Sequence, residues 1–216
     1  MAQERRMFSD LNLIGNFTNE AVKLGNIYLM DDNDFSLVGN IADFDRTIKV
    51  KSLTESSEPA NRKLQNTKST AINTSANADS PIGTEEFELL FSKKNAGIIF
   101  LKNAVTHSLK YGLINDKLQK IWAEEGYDKH PMRYCMVSQL ISAESGTVLI
   151  SCEAKNRVVL QHDGNMPVKN ADVLINGNFS IQVNTKRTNE IISKKAISPV
   201  FQAMRFKKNG MAEIVA

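Results

Sequence analysis

The sequence predicts an α+β fold: a twisted, mostly antiparallel sheet with two or three peripheral helices. Three observations point there. From Pro131 to Lys208, runs of strand-like alternation follow one another with no helix-length pattern between them. Two other stretches, one ending at Leu24 and one around Trp122, carry apolar residues at three- and four-residue spacing instead. The chain has 216 residues, 42% hydrophobic and 24% charged, which suffices to bury the core of one domain spanning residues 1–216.

Ser9 is placed to cap a first helix in which Leu11, Ile14, Phe17, Ala21, Val22 and Leu24 recur on one face until Gly25 stops it. Short strands are expected at Ile27–Met30, Phe35–Ile41 and Thr47–Leu53, separated by Asp/Asn-rich turns. From Thr54 to Thr84 large apolar side chains nearly vanish. Such a stretch offers little buried surface against its ordering entropy, so residues 54–84 are expected to form a mobile loop or insertion.

Phe87, Leu89 and Phe91 then share one strand face, followed by a turn at Lys93–Gly97 and the apolar run Ile98–Leu101 continuing toward Leu109, which reads as a hairpin. Asn115 is placed to cap a short helix with the stripe Leu118, Ile121 and Trp122, ended by Gly126 and Pro131. Strands follow at Arg133–Ser142, Thr147–Glu153, Val158–Gln161, Val173–Ile175, Phe179–Val183 and Ser198–Lys208, with turns at Ala143–Gly146 and Asp163–Asn165. No repeat of fixed period is present.

Net charge is only +3, but it is unevenly spread. Acids outnumber bases ten to six from Met1 to Pro59. From Lys186 to Lys208 the bases Lys186, Arg187, Lys194, Lys195, Arg205, Lys207 and Lys208 face Glu190 alone. That end is fitted to meet the phosphates of lipid or nucleic acid, or else to form a solvated rim against the acidic amino end. Met1–Phe8 is charged with no apolar core after it, and no apolar run approaches the roughly 20 residues of a spanning helix, so a cytoplasmic species is expected.

Catalytic signatures are sparse. Cys135 and Cys152 lie in apolar strand-like runs and define neither a metal site nor a disulfide framework. His107, His130 and His162 are scattered, with no ligand spacing among them. No Gly-rich phosphate loop or nucleophile elbow occurs. Glu153-Ala154-Lys155, just after the apolar run Thr147–Cys152, resembles the acid-x-lysine end of restriction-endonuclease-like nucleases. In that chemistry a carboxylate pair holds a divalent metal and the lysine activates water. Asp128, the available upstream acid, sits beside a short helix rather than at a strand end. A metal-dependent nuclease using Glu153 and Lys155 is therefore the runner-up, and a non-enzymatic adaptor or binding module the third reading. The primary expectation is no enzyme, no metal and no cofactor.

The strand Ser198-Pro199-Val200-Phe201-Gln202-Ala203-Met204-Arg205-Phe206, preceded by Tyr134–Ile141, Ser145–Ser151 and the basic segment Thr185–Lys195, resembles the closing portion of bacterial gasdermins. The likeness covers Tyr28 to Lys208. It implies a protein held soluble in the cytoplasm and released by an activating protease. The released form would bind acidic membrane lipids, homo-oligomerise and insert two hairpins per subunit as a β-barrel pore in the inner cell membrane. Programmed cell death or antiphage defence would be the setting, and no nucleic acid partner is expected. Lys186, Arg187, Lys194, Lys195, Arg205, Lys207 and Lys208 would then be the lipid-binding cations, each worth about 1 kcal/mol near a charged leaflet. No cysteine precedes Cys135 and only Asn209–Ala216 follows the basic end, so restraint and release would use the amino-terminal helix or the 54–84 loop.

Overall fold

Backbone pairing organises the chain more than helix formation does. The computed structural model describes residues 7–8, 13–15, 21–31, 34–65, 69–76, 85–94, 96–130, 133–162, 179–193, 195–206 and 212–215. Mostly antiparallel strands dominate, with two α-helices and three 3-10 turns among the described residues, which is the predicted α+β class. The strands are β1 (Met7–Phe8), β2 (Leu13–Gly15), β3 (Asn26–Asp31), β4 (Asp34–Asn40), β5 (Thr54–Ser56), β6 (Ala60–Gln65), β7 (Thr70–Ala76) and β8 (Glu85–Phe91). They continue as β9 (Gly97–Leu109), β10 (Tyr134–Ala143), β11 (Ser145–Ser151), β12 (Asn156–His162), β13 (Phe179–Asn184), β14 (Thr188–Ser193), β15 (Ile197–Phe206) and β16 (Ala212–Val215). The helices are α1 (Ile41–Phe44) and α2 (Asn115–Glu124).

The chain divides into two compact units: Met1–Glu58, Val105–Ser142 and Ser198–Ala216 form unit 1, and Pro59–Ala104 with Ala143–Ile197 form unit 2. In unit 1, β10 is flanked by β15 and β3, and β4 extends β3. Alternate residues of β10 go to two apolar clusters. Cys135 and Val137 join Ile14, Tyr28, Phe35 and Phe201, while Met136 joins Ile27, Ile121, Trp122 and Met204. Both faces of this sheet are therefore covered. The α2 stripe Leu118, Ile121 and Trp122 packs as the spacing predicts, although Asn115 is the first helical residue and Ile114 takes the cap position.

Two expectations in unit 1 are corrected. The helix capped by Ser9 does not form across its described part, because Leu13–Gly15 is β2, paired with β1 and with Val200–Phe201 of β15. Leu13 and Ile14 are both buried in this pairing. Residues 9–12 and 16–20 lie outside the described set. The strand expected at Thr47–Leu53 is a 3-10 turn over Val50–Leu53. Upstream of it the Asp45 carboxylate accepts from the Thr47 amide at 2.8 Å and its hydroxyl at 2.6 Å, an Asx-type turn that diverts the backbone from pairing. Those two bonds hold the Asp45 carboxyl below its ordinary range.

Unit 2 is built of two layers. One is the four-stranded sheet β13-β12-β8-β7, and the other contains β6, residues 97–104 of β9, β11 and β14. Leu89, Phe91, Val158 and Leu160 of the first meet Ile98, Phe100 and Leu149 of the second in one cluster. The 87–109 hairpin is thus replaced: β8 pairs with β7 and β12, whereas β9 pairs in the other layer, so the Ser92–Ala96 connection crosses between layers.

The expected 54–84 loop instead carries β5, β6 and β7. Their register comes from partners: β5 and β6 from β9, and β7 from β8. Backbone hydrogen bonds to a prebuilt strand make up for the missing apolar side chains. The Lys63 ammonium also lies 6.0 Å from the Phe100 ring centroid, a cation–π contact that seats polar β6 on the core strand. Residues 66–68 and 77–84 of that stretch lie outside the described set, as do Asp163–Asn165 and Val173–Ile175.

Candidate functional site

Lys186 and Arg187 occupy the Thr185–Arg187 connection between β13 and β14. Its shape is set by Asn156, 1% exposed at the start of β12. The Asn156 Oδ1 accepts from the Lys186 amide at 3.0 Å and the Thr185 hydroxyl at 3.2 Å, and its Nδ2 donates to the Thr188 hydroxyl at 2.7 Å. The Cys152 amide donates to the Arg187 carbonyl at 2.9 Å and the Thr185 amide to the Arg157 carbonyl at 3.0 Å. This turn is fixed by its neighbours.

The same pairings bring other cations alongside, which the linear sequence does not group with them. Phe91 of β8 is opposite Asn156, and Ser151 of β11 is opposite Thr188. The connections Ser92–Ala96, Cys152–Lys155 and Thr185–Arg187 therefore emerge at one end of unit 2. They carry Lys93, Lys94, Lys155, Lys186 and Arg187, all exposed, against Glu153 alone. Glu153 is taken up by Lys186, whose Nζ lies 3.4 Å from Oε2. At the mouth of this end Arg157 pairs with Glu88.

The remaining sequence-selected cations fall elsewhere. Lys195 is exposed beyond the opposite end of β14, a six-residue strand about 20 Å long. Arg205 is half-buried on β15 in unit 1. Lys194, Lys207 and Lys208 lie outside the described residues.

Glu153 and Lys155, the nuclease pair, sit in the bend after β11, and the Glu153 carboxylate is engaged by Lys186 as described. Asp128 belongs to unit 1 and Glu153 to unit 2. Among the described residues no three His, Cys, Asp or Glu side chains gather as metal ligands. His107 is held between two hydroxyls, Ser56 Oγ at 2.8 Å from Nδ1 and Ser142 Oγ at 2.8 Å from Nε2.

A second feature concerns strand length. In unit 1, Gln139–Ser142 pair with Ser108–Val105, and in unit 2, Ser145–Ile150 pair with Lys102–Gly97. Both ladders keep the same offset, so no residue is gained or lost between them along segments 97–108 and 139–150. In unit 2, Asn103 adopts φ 47°, its Nδ2 donates to Glu144 Oε2 at 2.7 Å, and Lys102 Nζ lies 3.4 Å from Glu144 Oε1. The Asn103 bond first, and Lys102 next, hold the Glu144 carboxyl below its ordinary range.

All seven residues of β11 are buried, yet Thr147 Oγ1 finds no hydrogen-bond partner among the described residues. An unsatisfied buried hydroxyl costs about 1–3 kcal/mol. Thr147→Val is accordingly expected to stabilise the folded chain by about 1 kcal/mol in urea unfolding. A loss of stability would mean that the hydroxyl is bonded in solution.

No protein-family model matches the chain, and no curated protein matches it. Among solved structures it is similar to one described as the cryo-EM structure of the gasdermin A3 membrane pore, at 11% identity and a TM-score of 0.27, covering 89% of this chain and 80% of that one. At that score the likeness fixes neither the fold nor the activity of this chain. No helix among the described residues is long and apolar enough to cross a membrane.

Proposed function

We propose that the chain is a pore-forming protein that is soluble until activated and then inserts strands into an acidic membrane. The observation that carries this reading is the pair of twelve-residue segments, 97–108 and 139–150, that keep one antiparallel offset. Drawn out as a ribbon, each would extend about 40 Å. A tilted transmembrane strand needs about 9–11 residues. The departures from regular pairing, Asn103 at φ 47° and Glu144 between β10 and β11, are hydrogen-bonded to each other, so one small rearrangement would remove both.

Within this reading, Lys186 and Arg187 supply first contact with acidic headgroups, with Lys194, Lys195, Arg205, Lys207 and Lys208 as further candidates. Activation is by proteolysis, insertion follows homo-oligomerisation as a β-barrel in the inner cell membrane, and cell death or antiphage defence is the setting. The unpartnered Thr147 hydroxyl supports a second state in which that residue meets water.

The test is dye release. The purified chain, intact and after limited proteolysis, is added to loaded vesicles of phosphatidylcholine with and without phosphatidylserine. Release from the acidic vesicles is expected, and vesicles that stay sealed under every condition would overturn the proposal. The exposed cations at the end of unit 2 favour one other reading, a non-enzymatic binding module. That reading predicts salt-sensitive binding without any release.

A further inference from the structure

Between the starts of β7 and β12 and the end of β8, unit 2 holds a cavity of about 500 Å³. That lies within the range of about 300–1,000 Å³ seen for small-molecule sites. Ser69, Thr70, Leu90, Ser92, Lys155 and Arg157 are among the residues lining it, and no carboxylate is. Ser69 and Thr70 are buried, at 2% and 5% exposure. The Ser92 hydroxyl reaches the Ser69 carbonyl only at 3.3 Å, and the Thr70 hydroxyl the Gly97 carbonyl at 3.4 Å. Both are long bonds, leaving donors able to turn toward a better acceptor.

Lys155 is the unusual member. Its φ of 57° is a conformation that L side chains disfavour and that glycine or asparagine takes far more readily. Its ammonium makes no ion pair among the described residues. Immediately behind it Asn156 is fully engaged by Thr185, Lys186 and Thr188. Around the cavity stand Lys93, Lys94, Lys186 and Arg187, with Glu153 the one acid on the same three connections. Cations brought to one end in excess of the acids Glu153 and Glu88 repel one another, and the same field concentrates anions there. Backbone strain, hydroxyl donors, the ammonium of Lys155 and the guanidinium of Arg157, which also pairs with Glu88, meet at one cavity.

We infer that this cavity is a binding site for a phosphate group, carried either by a small soluble phosphate ester or by a phospholipid headgroup. Lys155 and Arg157 would supply charge-assisted hydrogen bonds, Ser92 and Thr70 neutral ones, and the surrounding lysines long-range attraction. The inference does not depend on pore formation, since a soluble ligand satisfies it equally.

The test uses the full chain with two probes. Pyrophosphate is titrated calorimetrically at low salt, and vesicles of phosphatidic acid in phosphatidylcholine are sedimented with the protein. Saturable binding in either arm is expected, and the arm that responds identifies the source of the phosphate. Lys155→Gly should weaken it about tenfold while leaving the unfolding temperature equal or higher, because glycine relieves the strain. Lys155→Arg should restore binding, and Lys120→Ala, on the α2 surface, should leave it unchanged. The inference is overturned if neither probe binds, or if Lys155→Gly binds both as well as the natural chain does. Vesicle capture without leakage would count against the pore reading alone.

Discussion

Gly146→Ala is expected to destabilise unit 2 by about 3 kcal/mol, the upper part of the range for overpacking a close-packed interior. Gly146 lies in β11 opposite Leu101 of β9. A Cβ there would sit 2.6 Å from the Phe100 carbonyl oxygen, 2.7 Å from Leu101 Cδ2 and 3.2 Å from Ile197 Cδ1. The Leu101 methyl is side chain and can swing aside, but the Phe100 carbonyl belongs to the backbone of the neighbouring strand. Relief therefore requires the two strands to separate, which breaks the ladder that holds Ile98, Phe100 and Leu149 in the core. For a chain of this size each kcal/mol moves the unfolding midpoint about 2–4 °C, so a drop near 10 °C is expected. Gly112→Ala is the control, because nothing lies within 4 Å of its added methyl. If the two variants melt alike, the β9–β11 pairing described above is wrong.

Some of this arrangement was legible in the sequence and some was not, and the division follows from range. The stripe Leu118, Ile121, Trp122 is a local signal, and it became the buried face of α2. The alternation in Tyr134–Ile141 was equally readable, and β10 sends its two faces to two clusters. The failures concern segments whose conformation is decided by a distant partner. Ile14 fits a helical spacing with Leu11 and Phe17, but Phe201, nearly 190 residues away in sequence, pairs with Ile14 and makes it a strand. Residues 60–65 and 70–76 carry one large apolar side chain each, Leu64 and Ile72, and β9 and β8 give their backbone groups partners.

The basic end of unit 2 shows the same limit. Lys186 and Arg187 were found because they are neighbours in a charge-rich stretch. Lys93, Lys94 and Lys155 were not grouped with them, since Lys93 is more than 90 residues from Lys186. What joins them is a pair of registers, Phe91 with Asn156 and Ser151 with Thr188, that no periodicity in one sequence states. The Glu153–Lys155 spacing did draw attention as a catalytic motif. Its acid is instead engaged by Lys186, which local sequence could not reveal.

Asn156→Ala is expected to cost about 3 kcal/mol, close to the sum of three hydrogen bonds each worth about 1 kcal/mol net. The side chain is almost fully buried and ties the start of β12 to the stretch from Thr185 to Thr188, accepting from Thr185 and Lys186 and donating to Thr188. Removing it leaves the Lys186 amide without its acceptor in a partly buried turn. The Thr188 hydroxyl keeps its 3.1 Å bond to Asn184 Oδ1, while the Thr185–Arg187 connection is left with its backbone bonds to Arg157 and Cys152. Lys186→Ala supplies the contrast. It removes only an exposed ion pair with Glu153, and such pairs contribute about 0–1 kcal/mol. Chemical denaturation should thus separate the two variants by at least 2 kcal/mol, while pyrophosphate binding should fall in both. If Asn156→Ala is no less stable than Lys186→Ala, the connection is held by its charges, and the buried amide has been assigned a positioning role it does not play.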